Sequence, residues 1–117
     1  MARTFLAKAQ EELEEGLVAN DHVRVRDAAE KAWNAVVQAT DHAMGAHGRV
    51  PLPGREAHES RRSFLEQVGR RDPARDYAYL AERLHGDAFY AGASLPPGDL
   101  RRLIDEARDT VDKVAGV

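Results

Sequence analysis

The sequence DHVRVRDAAEKAWNAVVQATDHAM, residues 21–44, repeats its apolar side chains with the period of an α-helix. Asp21 precedes the pattern and is a suitable N-cap, because its carboxylate can accept hydrogen bonds from first-turn amides. Small residues at positions 28, 29, 32 and 35 allow neighbouring helices to approach closely. We therefore predict an amphipathic helix that ends at about Met44. Its inward face consists of Val25, Ala29, Ala32, Trp33, Val36, Thr40 and Ala43.

Three of the other predicted helices are identified by one apolar face each. The inward residues are Phe5, Leu6, Ala9, Leu13 and Leu17 in the first helix, Phe64, Leu65 and Val68 in the third, and Leu100, Leu103, Ile104, Ala107, Val111 and Val114 in the fifth. The first helix should end near residues 19–20, the third at 69–71, and the fifth should begin at 97–99. Turn-rich segments at 45–54 and 92–98 separate helices but are too short to separate domains.

The fourth helix has a start signal of its own. Asp72 followed by Pro73 predicts an N-cap and then proline at the first helical position, where its missing N–H costs nothing. One face of this helix then contains Tyr77, Leu80, Ala81, Leu84 and Ala88. Amphipathic helices with short connections bury their apolar faces against one another. We therefore predict an all-α, up-and-down bundle of about five helices that forms one domain over residues 1–117.

Composition narrows the class of protein. The chain contains no cysteine, which excludes disulfides, thiolate metal sites and cysteine nucleophiles. A formal net charge of −3 gives no general attraction to nucleic acid or to an anionic membrane. No apolar run is long enough for a signal peptide or a membrane span. A cytoplasmic protein with no membrane contact is therefore expected.

Glu82 and His85 have the Glu-x-x-His spacing that places a carboxylate and an imidazole on one helix face, as in di-iron bundles. Those sites need a second copy of the motif, which this sequence lacks. We therefore predict no metal and no cofactor. His85 lies beside the core face and has two interpretations: a general base or hydrogen-bond acceptor, or a half-buried ring that only packs.

Two further groups of side chains are candidates. His58 follows a proline-containing loop and precedes two arginines, so it either meets a phosphate or is an ordinary first-turn surface residue. The second group lies on the face of helix four that is turned away from the core, and it consists of aromatic side chains with an arginine. This combination is typical of protein interfaces, although exposed tyrosines also occur singly. The members of this second group are Tyr79, Arg83 and Tyr90.

Three segments in this order resemble a known family: AEKAWNA at residues 29–35, His58 after a loop, and LHGDAFY at residues 84–90. Over residues 9–114 the chain resembles the PaREP1-type small helical proteins of the HEPN superfamily. The resemblance implies a helical bundle with a final helix packed across it, usually assembled as a homodimer. Many HEPN relatives are RNases of toxin–antitoxin pairs whose partner is a small nucleotidyltransferase, while others bind nucleotides or act as scaffolds.

The RNase members of that superfamily carry an arginine followed, after four to six residues, by a histidine. None of the five histidines here has an arginine at that distance. We therefore expect a non-catalytic homodimer that binds a partner protein or a nucleotide-like ligand. Its expected binding surface comprises Glu30, Lys31, His58, Tyr79, His85 and Tyr90.

Two alternatives remain open. One is a metal-independent RNase with RNA as its substrate, in which a histidine is the general base and an arginine stabilises charge on the phosphate. Its candidate catalytic residues are His85, His58, Arg62 and Arg83. The other is a purely structural component of a toxin–antitoxin or defence complex, which predicts a neighbouring gene for the nucleotidyltransferase partner and no activity alone.

Overall fold

A short turn joins the first two helices into a hairpin. In the computed structural model, which describes residues 2–68, 71–88 and 95–116, α1 spans Ala2–Ala19 and α2 spans His22–Ala46. Asn20 between them has a φ of 53°, a left-handed conformation that asparagine tolerates. Asp21 caps α2 as predicted, because its carboxylate accepts a 3.1 Å hydrogen bond from the backbone N–H of Arg24.

Small residues bring α1 and α2 close together. A Cβ atom on Gly16 would lie 3.0 Å from Cγ2 and 3.1 Å from the backbone nitrogen of Val25, so a larger residue would push the two helices apart. Ala28, Ala32 and Ala35 are fully buried along α2, which confirms the prediction that small side chains allow close packing on this helix.

The other described elements surround α2. They are a single 3₁₀ turn at Gly54–Glu56, α3 (Ala57–Gln67), α4 (Arg71–Leu80), a π-helix at Ala81–Ala88 that continues α4, and α5 (Pro97–Ala115). α2 packs against α1, α3, the π-helix and α5. Five α-helices and no strand within the described ranges confirm the all-α prediction.

Buried side chains from every α-helix and from the π-helix form one core cluster. All inward residues predicted for α2 and α5 are buried, whereas Phe5, Leu17 and Val68 are only partly buried at its margin. Each fully buried leucine contributes roughly 2 kcal/mol of transfer free energy, so the matched faces hold the bundle together. None of the helices in the described ranges is both long and apolar enough to cross a membrane.

The fourth helix departs from the sequence prediction at both ends. It begins at Arg71, so Asp72 lies in the first turn and the prediction that it is the N-cap is wrong. Pro73 is tolerated there because first-turn amides have no partner within the helix. The α-helix ends at Leu80 and continues as a π-helix. The sequence did not predict this change, because too few apolar positions follow Leu80 for their spacing to distinguish the two helix types. α3 ends at Gln67, and residues 69 and 70 lie outside the described residues.

Candidate functional site

The indole of Trp33 on α2 is the point at which four elements meet. Its side chain is 2% exposed. The indole centroid lies 5.6 Å from the ring of His58 on α3, 5.0 Å from that of Tyr77 on α4 and 6.1 Å from that of His85 on the π-helix. Tilted aromatic pairs at such distances stabilise each other by about 0.5–1.5 kcal/mol beyond their area burial. The three rings are therefore held in place by a buried neighbour.

His58 and His85 converge above this indole. Their ring centroids are 6.1 Å apart, although they belong to different helices. The sequence singled out both residues but contained nothing that placed them next to each other. We refer to Glu30, Trp33, His58, Tyr77 and His85 as the Trp33 cluster.

Glu30 orients the ring of His85. The two carboxylate oxygens lie 3.1 and 3.2 Å from Nδ1 of His85, and both side chains are half-buried. An ionised carboxylate only accepts hydrogen bonds, so Nδ1 is the donor. In the neutral ring Nε2 then carries the lone pair, and the carboxylate fixes the orientation of the imidazole.

The ring of His58 is held by hydrogen bonds of the opposite direction, because its Nδ1 accepts where Nδ1 of His85 donates. Its Nδ1 lies 3.0 Å from the hydroxyl oxygen of Tyr77, and Nη1 of Arg61 lies 3.4 Å from both atoms. A guanidinium only donates, so the Tyr77 hydroxyl oxygen and Nδ1 of His58 both accept from Arg61. Because Nδ1 is then an acceptor, the proton between it and the Tyr77 hydroxyl belongs to the hydroxyl. Burial, followed by the positive charge of Arg61, lowers the pKa of His58 below its ordinary value. The neutral ring is therefore the favoured form near pH 7.

Arg61 is itself fixed by a bidentate ion pair. Its Nε and Nη2 donate to the two carboxylate oxygens of Asp41 at 2.6 and 3.2 Å. Burial opposes the charge of Arg61, but the hydrogen bonds to Asp41 and Tyr77 more than offset it and raise the pKa of the guanidinium. Burial also raises the pKa of Tyr77, so the phenol keeps its proton and remains a donor.

Arg61, rather than Arg62, is the arginine beside the histidines. Arg62 lies on the exposed surface of α3 and pairs with Glu66 at 3.9 Å. The two arginines follow His58 by three and four residues, and both spacings place side chains on one helix face. Sequence spacing therefore did not distinguish them, and it contained no signal at all for Asp41.

Two other residues predicted for the binding surface, Lys31 and Tyr79, make their contacts elsewhere. Lys31 points towards α1, where it donates to Glu12. The Arg83 guanidinium lies 6.0 Å from the ring centroid of Tyr79, and that tyrosine lines a small groove towards α5. Tyr90 lies outside the described residues. Of the predicted surface, the structure brings together Glu30, His58 and His85.

A groove of about 520 Å³ lies between the end of α2 and α3, and it contains neither His58 nor His85. Met44, Leu52 and Phe64 supply its apolar lining. Within the described residues, no three histidine, aspartate or glutamate side chains are arranged to hold a metal ion. The convergent titratable groups belong to the Trp33 cluster, so we place the candidate site there.

No protein-family model matches this chain, and neither a curated protein nor a solved structure matches it. Function is therefore inferred from the residues of the Trp33 cluster.

Proposed function

We propose that this chain is a HEPN-like helical bundle that forms a homodimer and binds a nucleotide-like ligand at the Trp33 cluster without catalysing a reaction. The observation that carries the proposal is the 6.1 Å separation of the His58 and His85 rings, presented by different helices over one buried indole. Rings fixed in this way lose little conformational freedom on binding, which favours affinity. Imidazole nitrogens donate or accept hydrogen bonds, which suits them to the polar edge of a planar ligand such as a nucleobase.

Binding is favoured over catalysis because the described residues of the Trp33 cluster supply a base but no general acid. The Glu30–His85 pair provides an oriented base. A general acid at neutral pH would require His58 to carry a second proton, and both its burial and the adjacent Arg61 oppose that charge. The described geometry therefore supports a binding role better than a catalytic one.

Calorimetric titration with AMP, GMP, CMP and UMP tests the binding proposal. At least one of them should bind to the wild type, and His58→Gln and His85→Gln should each weaken that affinity by about tenfold, the effect of one well-placed polar contact. His42→Gln is the matched control, since His42 is an exposed histidine of α2 outside the cluster. The absence of binding by all four nucleotides, or equal effects of all three substitutions, would contradict the proposal.

Homodimer formation is tested separately by light scattering at micromolar concentration. The proposal requires twice the chain mass of 12.9 kDa. A monomer mass at that concentration would refute this part of the proposal while leaving the ligand site open to the titration above.

A metal-independent RNase is the second candidate, and the Glu30–His85 pair is the observation that favours it. Nε2 of His85 would take the proton of a ribose 2′-hydroxyl, whose oxygen attacks the adjacent phosphate and displaces the 5′-oxygen. Nη1 of Arg61 lies 3.4 Å from Nδ1 of His58, so Arg61 would be the arginine that stabilises charge on the phosphate in this candidate mechanism. Incubation with mixed RNA in EDTA should then yield cleavage that Glu30→Gln and His85→Ala abolish; intact RNA with the wild type eliminates this candidate.

A further inference from the structure

One wall of the groove between the end of α2 and α3 is an extended segment. Val50 and Leu52 each precede a proline, and a residue in that position is restricted to extended conformations. Their side chains are two positions apart, so they lie on the same side of the segment. Both line the groove, and Val50 is 83% and Leu52 is 50% exposed. This wall therefore presents two aliphatic side chains to solvent.

The opposite wall is formed by α3 and the turn that precedes it, residues 56–67. Oγ of Ser60 accepts a 3.1 Å hydrogen bond from the backbone N–H of Leu52, which ties the two walls together. At about 1.5 Å per residue the α3 wall is roughly 16 Å long, the length of about five residues of extended chain. The buried side chains of Met44 and Phe64 close the floor, so the accessible apolar surface belongs to the extended wall. We refer to this groove as the α3 groove.

The two ends of the α3 groove carry opposite charges. Glu56 and Glu59 line one end, are exposed, and have no side-chain partner among the described residues. The other glutamate of α3, Glu66, pairs with Arg62 instead. Arg49 lines the opposite end, where it donates a hydrogen bond to the side chain of Gln67. The first end therefore attracts a cation, since two carboxylates there are unpaired.

From these features we propose that the α3 groove docks a short extended segment of a partner protein, in which aliphatic side chains stand next to a lysine or an arginine. The aliphatic side chains cover Val50 and Leu52, and the basic group pairs with Glu56 and Glu59. Arg49 uses one of its five N–H donors on Gln67, so other donors remain for carbonyl oxygens of the bound segment. The groove volume of about 520 Å³ lies within the range of ligand sites, about 300–1,000 Å³.

Charge decides between this occupant and other classes. A nucleic acid or an acidic segment would place negative charge against Glu56 and Glu59, and like charges in contact reduce affinity. A purely aliphatic segment covers Val50 and Leu52 but desolvates the two carboxylates without supplying a partner. A segment with both kinds of side chain meets both requirements. The α3 groove contains neither histidine of the Trp33 cluster, so this inference does not depend on the proposed function.

Backbone amide NMR of the protein, titrated with synthetic five-residue peptides, tests the inference. The probes are KLSLS and SLSLK, which place the lysine at either end because the direction of the bound chain is open. At least one should bind with a dissociation constant of about 0.1–1 mM, as expected of a small interface, and should shift the signals of Val50, Leu52, Ser63 and Gln67. Replacing its lysine by glutamate, or its leucines by serine, should weaken binding by at least about threefold.

Two double variants with the same change in net charge locate the basic contact. Glu56→Gln with Glu59→Gln should weaken peptide binding by about three- to tenfold. Glu11→Gln with Asp27→Asn removes two exposed carboxylates outside the groove and should leave the affinity unchanged.

Three results would overturn the inference. They are the absence of saturable shifts with both lysine peptides, equal binding of the glutamate peptides, and equal effects of the two double variants. Nucleotide titration of the same variants reports on the Trp33 cluster separately, so failure of one site is distinguishable from failure of the other.

Discussion

Replacing Arg61 by alanine should destabilise the protein far more than replacing its neighbour Arg62. Both arginines are on α3 and both have an acidic partner, yet their surroundings differ. The Arg61 side chain is 12% exposed and makes two hydrogen bonds to Asp41, at 2.6 and 3.2 Å. The Arg62 side chain is 49% exposed and lies 3.9 Å from the carboxylate of Glu66.

The expected magnitude follows from these contacts. Hydrogen bonds to charged groups contribute about 1.5–3 kcal/mol each when buried. Asp41 is 37% exposed and recovers water when Arg61 is removed, so the loss for the two bonds together is reduced to about 2 kcal/mol. An exposed ion pair such as that of Arg62 contributes only about 0–0.5 kcal/mol.

Urea unfolding followed by the fluorescence of Trp33, the single tryptophan, measures both variants. With a slope of about 2 kcal/mol per molar urea, Arg61→Ala should lower the midpoint by about 1 M, and Arg62→Ala by less than about 0.25 M. Equal midpoints for the two variants would refute the account in which Asp41, Arg61 and Tyr77 form a fixed support for His58.

Two further predictions concern pH and helix packing. Because the folded-state pKa of His58 lies below its ordinary value of about 6.5, the unfolded state binds more protons below that pH. The contribution of neutral His58 to stability is therefore present above about pH 6.5 and is lost as the pH falls below that value. Urea midpoints measured at decreasing pH should fall less steeply in His58→Gln than in the wild type. Parallel curves for the two proteins would contradict this prediction. Gly16→Ala should destabilise the protein by about 1–2 kcal/mol, because overpacking against Val25 exceeds the gain in helix propensity. Gly45→Ala is the control, since its new methyl group meets nothing, and it should be neutral or stabilising. Thermal unfolding measures both variants. A stabilising Gly16→Ala would show that α1 and α2 are farther apart than described.

The fold could be predicted from the sequence because apolar periodicity determines which helix face is buried. Every inward residue predicted for α2 and α5 is buried. Periodicity did not predict the π-helix at Ala81–Ala88, since that segment offers few apolar positions. The Asp72-Pro73 start signal misplaced the beginning of α4, because Asp72 was assigned as the N-cap and the helix begins at Arg71. Both features depend on backbone hydrogen bonding, which the residue pattern does not specify.

The candidate site could be predicted only in part. Glu30, His58 and His85 stood out by residue type, but their convergence depends on how α3 and the π-helix cross α2. Arg61 was not distinguished from Arg62 because side chains three and four positions apart share a helix face. Asp41 was missed because it meets Arg61 only through the packing of α3 on α2. Trp33 was predicted as a core residue, and only the tertiary structure shows that it is the contact shared by both histidines.

The most direct test of the central claim is the change in imidazole NMR signals when a nucleoside monophosphate is added. The chain has five histidines, of which two belong to the Trp33 cluster, so the other three are internal controls. The account predicts saturable shifts for His58 and His85, with His22, His42 and His47 unchanged. Shifts distributed over all five rings, or an unchanged spectrum with each of the four monophosphates, would contradict a ligand site at the Trp33 cluster.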